Sequence, residues 1–186
     1  ALTENVSSGC VLPLWGLPFE TGDRLLISSA EHPGIVAACK ELARRQGLVI
    51  DCFDVQKVRD NSQLLKALEN GLQERTRLVV LSHLLWNTGI TMPIAAVAQA
   101  LQRHQKKHWL LVDGAQSVGS LDLDDAANQA DIYAFTGHKW CCGPEGLGAV
   151  VLSERVLAEA SPTLIGWRSL SNETEASSSW HKDARK

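Results

Sequence analysis

Apolar residues fall along this chain in two alternating rhythms. Short apolar runs at 23–30 (DRLLISSA), 48–55 (LVIDCFDV), 77–83 (RLVVLSH) and 109–116 (WLLVDGAQ) read as buried strands. Between them the period lengthens to that of a helix. In 34–47, Ile35, Cys39 and Leu42 share one face and Gly47 ends the run. In 61–73, Leu64, Leu65, Leu68 and Leu72 are in phase, and 93–105 opens on Pro93, whose fixed φ suits a first helical turn. Runs at 131–137 and 148–153 add two more strands, close enough in sequence to pair antiparallel.

Repeated strand–helix alternation predicts an α/β fold, a mainly parallel sheet with helices on both faces, over residues 1–170. Residues 171–186 are polar without apolar period and read as a tail or the start of a further domain. In such sheets ligands collect beyond the carboxyl ends of the strands. The polar residues follow that geometry. Glu31 and His32 come after the first of these strands, His83 and Asn87 after the third, Asp113 and Gln116 after the fourth, and His138 and Lys139 after the fifth. All are expected at one rim.

Composition narrows the partner. With 186 residues, 45% of them apolar, the chain can bury a sizeable core, and a net charge of −3 offers no basic stripe for nucleic acid or an anionic membrane. A small-molecule ligand is expected instead. No apolar run approaches the roughly 20 residues that span a bilayer, and no signal-peptide pattern opens the chain, so a cytoplasmic setting is expected. The first residue is Ala1 and a functional-looking polar stretch starts at Thr3, which reads as a fragment of a longer chain. The five cysteines lack metal-binding spacing, and reduced thiols are expected, with the adjacent Cys141 and Cys142 structural or idle.

The stretch AFTGHKWCCGPEGLG (134–148) carries the sharpest chemical signal. Lys139 stands at the end of an apolar strand, between His138 and Trp140, where partial drying favours a free amine able to attack a carbonyl. A plain surface lysine in a turn is the simpler alternative. Pyridoxal 5′-phosphate would use such an amine through a Schiff base, with a carboxylate to keep its pyridinium nitrogen protonated. Asp113 is the candidate carboxylate, although an Asp-Gly pair is also common as a local turn. Gln116 is placed to reach the ring hydroxyl. Thr3, Thr136 and His138, with amides of the TENVSSG stretch where a helix is expected to begin, are candidates for the phosphate.

DGAQSVG followed by AFTGHKW and GPEGLG resembles the class V aminotransferase superfamily of fold-type-I pyridoxal-phosphate enzymes. With EHPGI, LSHLLWNTG and GWRS, the resemblance is greatest to the branch of cysteine desulfurases and cystine C-S lyases. It covers nearly everything from Thr3 to Ser169. The resemblance implies that Lys139 is the Schiff-base lysine and the base that moves the Cα proton. It implies that Asp113 pairs with the pyridine nitrogen, Gln116 bonds the phenolic oxygen, His32 stacks on the ring, and Thr3, Thr136 and His138 hold the phosphate. His32 could equally be a helix-starting residue before Pro33. An amino-acid substrate, a cystine or cysteine C-S lyase or desulfurase reaction, and a homodimer in the full-length protein follow from the same resemblance. Transamination, another β-elimination, or a truncated non-catalytic remnant are the alternatives.

Some positions do not carry over cleanly from the family pattern. An Asn is expected to approach the ring from the loop after the third strand, yet a gap-free match puts Trp86 there and Asn87 one place later. Pro13 falls inside the helix expected after the phosphate site and predicts a kink or early stop. Trp167 and Arg168 could face substrate or form a core tryptophan beside a surface arginine.

Overall fold

The computed structural model describes residues 1–104, 108–123, 125–172, 174, 175 and 179. Most of the expected tail at 171–186 and the side chain of Arg168 lie outside these. In chain order the elements are β1 (Leu2–Thr3), α1 (Val6–Gly16), β2 (Arg24–Ser28), α2 (Pro33–Gln46), β3 (Val49–Phe53), α3 (Asn61–Gly71) and β4 (Thr76–Ser82). There follow α4 (Ile94–Gln102), β5 (Trp109–Asp113), α5 (Ala126–Gln129), β6 (Ile132–Thr136), β7 (Gly148–Leu152) and α6 (Glu154–Glu159), then a single 3-10 turn at Trp167–Ser169.

The strands form one seven-stranded sheet in the order β1-β7-β6-β5-β4-β2-β3. β2 pairs in parallel with β3 and β4, and β4, β5 and β6 continue in parallel, while β7 runs antiparallel to both β6 and β1. The mainly parallel sheet expected from the sequence is thus present. Its strand residues alternate between two cores. Leu26, Val79, Leu81, Leu110 and Val112 face α3, α4 and α5 through Leu64, Leu68, Val97 and Ala126. Leu25, Ile27, Leu78, Val80 and Leu111 face α1, α2 and α6 through Leu14, Cys39, Leu42 and Val156. Helices therefore cover both faces, and Gly47 closes α2 in the left-handed conformation at φ 69°.

Two local expectations need correction. Pro93 precedes α4 as its cap and is not inside the first turn. Of the kink or early stop expected at Pro13, the early stop does not occur: α1 runs three residues further, to Gly16. Proline removes one helical hydrogen bond, to the carbonyl four residues back. Here Cys10 and Leu14, on either side, are buried at 1% and 0% exposure against the sheet, and that packing outweighs the local penalty. Among the described residues no helix is long and apolar enough to cross a membrane.

The strand order reverses direction between β2 and β4: β3 lies outside β2, and the chain then crosses back to start β4 on the other side. A crevice opens at the carboxyl ends of two strands at such a switch point. One buried acid spans it. Glu31, just past β2, accepts from Ser28 Oγ, from Ser82 N at 2.9 Å and from Ser82 Oγ at 2.8 Å, joining the ends of β2 and β4. Burial pushes the Glu31 carboxyl up, against the pull of these hydrogen bonds.

Candidate active site

Lys139, Asp113, Gln116 and His32 line one cleft above the switch point, together with Val6 and Ser7 of α1, Cys10, Gly34, Ser82 and Trp86. They come from four separate connections. His32 follows β2, Trp86 follows β4, Asp113 ends β5 with Gln116 in its loop, and Lys139 lies past β6. Parallel pairing of β4, β5 and β6 is what brings the latter three together, since it aligns Ser82 with Asp113 and Asp113 with Ala134.

Asp113 is 8% exposed and combines both readings of its Asp-Gly pair. Its Oδ1 accepts from Ala115 N at 2.8 Å, a local turn, while Oδ2 has no hydrogen bond among the described residues. Gly114 is required by its neighbour, because a Cβ there would stand 2.5 Å from the ring of Tyr133. Burial raises the Asp113 carboxyl above its ordinary value, and the Ala115 bond, Lys139 and His32 pull it back in part.

His32 also combines its two readings. It caps α2, with Nδ1 accepting from Gly34 N at 3.1 Å, and its ring lines the cleft. Nδ1 must then be the unprotonated nitrogen. The ring meets Trp86 edge to face at 5.8 Å between centroids. Trp86, not Asn87, therefore occupies the cleft from the loop after β4, and Asn87 is exposed outside it.

Thr3, Thr136 and His138 do not line the cleft but gather beside it. Thr3 and Thr136 both pair with Gly148, on either side of β7, and Thr136 Oγ1 lies 2.8 Å from His138 Nδ1. Thr3 Oγ1 donates to Asn5 O, and Asn5 caps α1 by accepting from Ser8 N at 2.9 Å. Gly148 permits this convergence: a Cβ there would meet Phe135 O at 2.6 Å and Asn5 Cα at 2.9 Å. The first turn of α1 follows Thr3 and Asn5 directly in the chain and lines the cleft through Val6 and Ser7.

Two residues expected at the rim turn elsewhere. Glu31 is committed to the two serines. His83 Nδ1 lies 2.8 Å from the Tyr133 hydroxyl in the opposite core, because consecutive strand residues point to opposite faces and Ser82 already takes the cleft side. Cys10 and Ser82 were not expected there, whereas Trp86 stands where the gap-free match put it and Ser7 belongs to the TENVSSG stretch. Alternation along β4 was the available signal for Ser82; Cys10 offered none. Burial first, then the Asp113, Cys39 and Glu31 charges, hold the Cys10 thiol well above its ordinary range, and burial followed by Glu31 pushes Cys39 up to about 12. Cys141 and Cys142 are free and exposed.

Residues 3–186 match the family described as aminotransferase class V. Among curated relatives, an isopenicillin N epimerase of Streptomyces clavuligerus is 32% identical over 90% of this chain and 42% of its own length. A cysteine desulfurase of Haloferax volcanii is 28% identical over 94% of this chain and 40% of its own. Among solved structures, the cystine C-S lyase C-DES in complex with its product cysteine persulfide superposes with a TM-score of 0.86 at 41% identity, covering 98% of this chain and 49% of that one. A C-DES mutant with glycine covalently linked to its PLP cofactor gives the same TM-score at 40% identity. The chain spans about two fifths to a half of the length of these relatives. Its own residues suit that cofactor: a buried carboxylate with one free oxygen and an amine open onto the same cleft, beside an imidazole and an amide. By sequence match, fold and cleft, the chain belongs to the class V aminotransferase family, with the fold of type I pyridoxal-phosphate enzymes and pyridoxal 5′-phosphate as its cofactor.

Proposed function

We propose that the chain is the cofactor-binding part of an enzyme that cleaves the C–S bond of a sulfur amino acid, cystine or cysteine. The observation that carries this reading is the meeting of Lys139 with the free oxygen of Asp113 in one cleft. When bound, pyridoxal phosphate supplies an aldehyde that a lysine can hold covalently and a ring that draws electrons away from the substrate Cα. Lys139 would hold the aldehyde and, with substrate in the cleft, would take the Cα proton as general base. Asp113 offers Oδ2 to the protonated ring nitrogen, a cation that lowers the cost of keeping this buried carboxyl charged. His32, fixed by its bond to Gly34, covers a face of the ring. Gln116 bonds the ring hydroxyl, and the first-turn amides of α1 with Thr3, Thr136 and His138 bind the phosphate. The C-DES likeness at 41% identity favours sulfur chemistry.

A second reading has its own support in the 32% identity to isopenicillin N epimerases. There Lys139 would keep the same task, removal of a Cα proton, without loss of a β-substituent.

Borohydride treatment of chain mixed with pyridoxal phosphate is expected to fix the cofactor on the peptide containing Lys139, and Lys139→Ala to abolish the adduct entirely. An adduct of equal yield in the variant overturns the lysine assignment. With cystine, pyruvate release identifies the lyase; with cysteine, alanine identifies the desulfurase. Deuterium entering Cα of an amino acid with neither product supports the epimerase.

A further inference from the structure

Trp140 follows Lys139 directly, and its indole Nε1 donates to Gln116 Oε1 at 2.9 Å. An indole nitrogen can only donate, so this bond fixes the amide. Oε1 is turned to Trp140, and the amide NH2 has no hydrogen-bond partner among the described residues at the cleft that Gln116 lines. Without the indole, a glutamine amide can adopt either of two orientations related by a half turn. Two further contacts seat the same loops on each other. Gly119, at φ 89°, leaves room that a Cβ would take, 2.7 Å from the Trp140 carbonyl carbon and oxygen, and Cys141 Sγ lies 3.7 Å from Val118 O. The loop carrying Gln116 thus rests on the segment just after Lys139.

We propose that Trp140 is a positioning residue for the ligand in this cleft: its N–H orients Gln116 so that the amide presents a donor, not an oxygen, to an anionic oxygen of the ligand. The proposal rests on the cleft being the pyridoxal-phosphate site, where the acceptor is the ring's phenolic oxygen. An amide oxygen facing that anion repels it, whereas an amide N–H attracts it. Trp140, 55% exposed, acts through Gln116 and needs no contact of its own with the cofactor.

The test compares binding of pyridoxal phosphate with that of an analogue lacking the ring hydroxyl. Both are titrated against the wild-type chain, Trp140→Phe, Gln116→Met and the double variant. Trp140→Phe is expected to weaken pyridoxal phosphate about fivefold, in keeping with one partly exposed hydrogen bond, and to leave the analogue unchanged. In the Gln116→Met background the same substitution is expected to add nothing. Equal weakening of both compounds, no weakening at all, or a loss that persists beside Gln116→Met would each overturn the proposal. If the wild-type chain bound neither compound, the cofactor-site reading itself would fall, and this orientation with it.

Discussion

At the scale of single residues, Asp113 shows how one side chain can serve a turn and a site together: one oxygen closes the loop on Ala115 and the other is free for a ligand. Its burial has a measurable consequence. Because the folded chain raises the Asp113 carboxyl above its ordinary value of 3.8, the folded state binds more protons than the unfolded one as pH rises past that value. Stability therefore declines through that window, and the charged form burdens the cofactor-free fold at neutral pH. Asp113→Asn, which keeps an oxygen for Ala115, is expected to raise the melting temperature of the cofactor-free chain at pH 7 and to lose that advantage below pH 4. Cofactor affinity is expected to fall in the same variant, measured by absorbance titration. Asp113, Gln116 and Lys139 were legible because each follows directly from a strand end. His83 was misread because position past a strand does not state direction, whereas the gap-free match already put Trp86, not Asn87, at the loop position that enters the cleft.

Among the elements, α1 was the least visible in the sequence and contributes much to the site. It has no amphipathic stripe to reveal it, since Gly9, Cys10, Leu14 and Gly16 are buried while polar and apolar residues mix around them. Its start is nonetheless encoded by Asn5, whose side chain accepts from Ser8 N, and the capped turn faces the cleft through Val6 and Ser7. Loss of such a cap typically costs about 1 kcal/mol. Asn5→Ala is expected to lower the thermal midpoint by roughly 2–4 °C, readable by calorimetry, and to weaken phosphate-bearing ligands more than phosphate-free ones. β1 was equally hidden, because a two-residue strand is too short for any pattern and exists only through its pairing with β7.

At the scale of the whole molecule, the fold class was readable because strand and helix periods alternate without interruption from β2 to β5. The strand order was not, since the crossing that puts β4 beside β2 is a tertiary choice. Stability of the assembled sheet carries a pH signature. Burial lowers the pKa of both His83 and His108 below 6.5, and His108 keeps its Nδ1 proton on Thr76 O while its buried Nε2 has no partner among the described residues. The unfolded chain then binds more protons, so the stabilisation present above pH 6.5 is lost as pH falls through the lowered folded values. Urea midpoints are expected to drop below pH 6.5, and His108→Gln to flatten that slope. Glu31, meanwhile, ties the ends of two strands that would ordinarily fray. The Ser82 amide is held there as if it lay mid-strand, so this border of the cleft is rigid as soon as the chain folds. A ligand arriving at it meets a mould already cast.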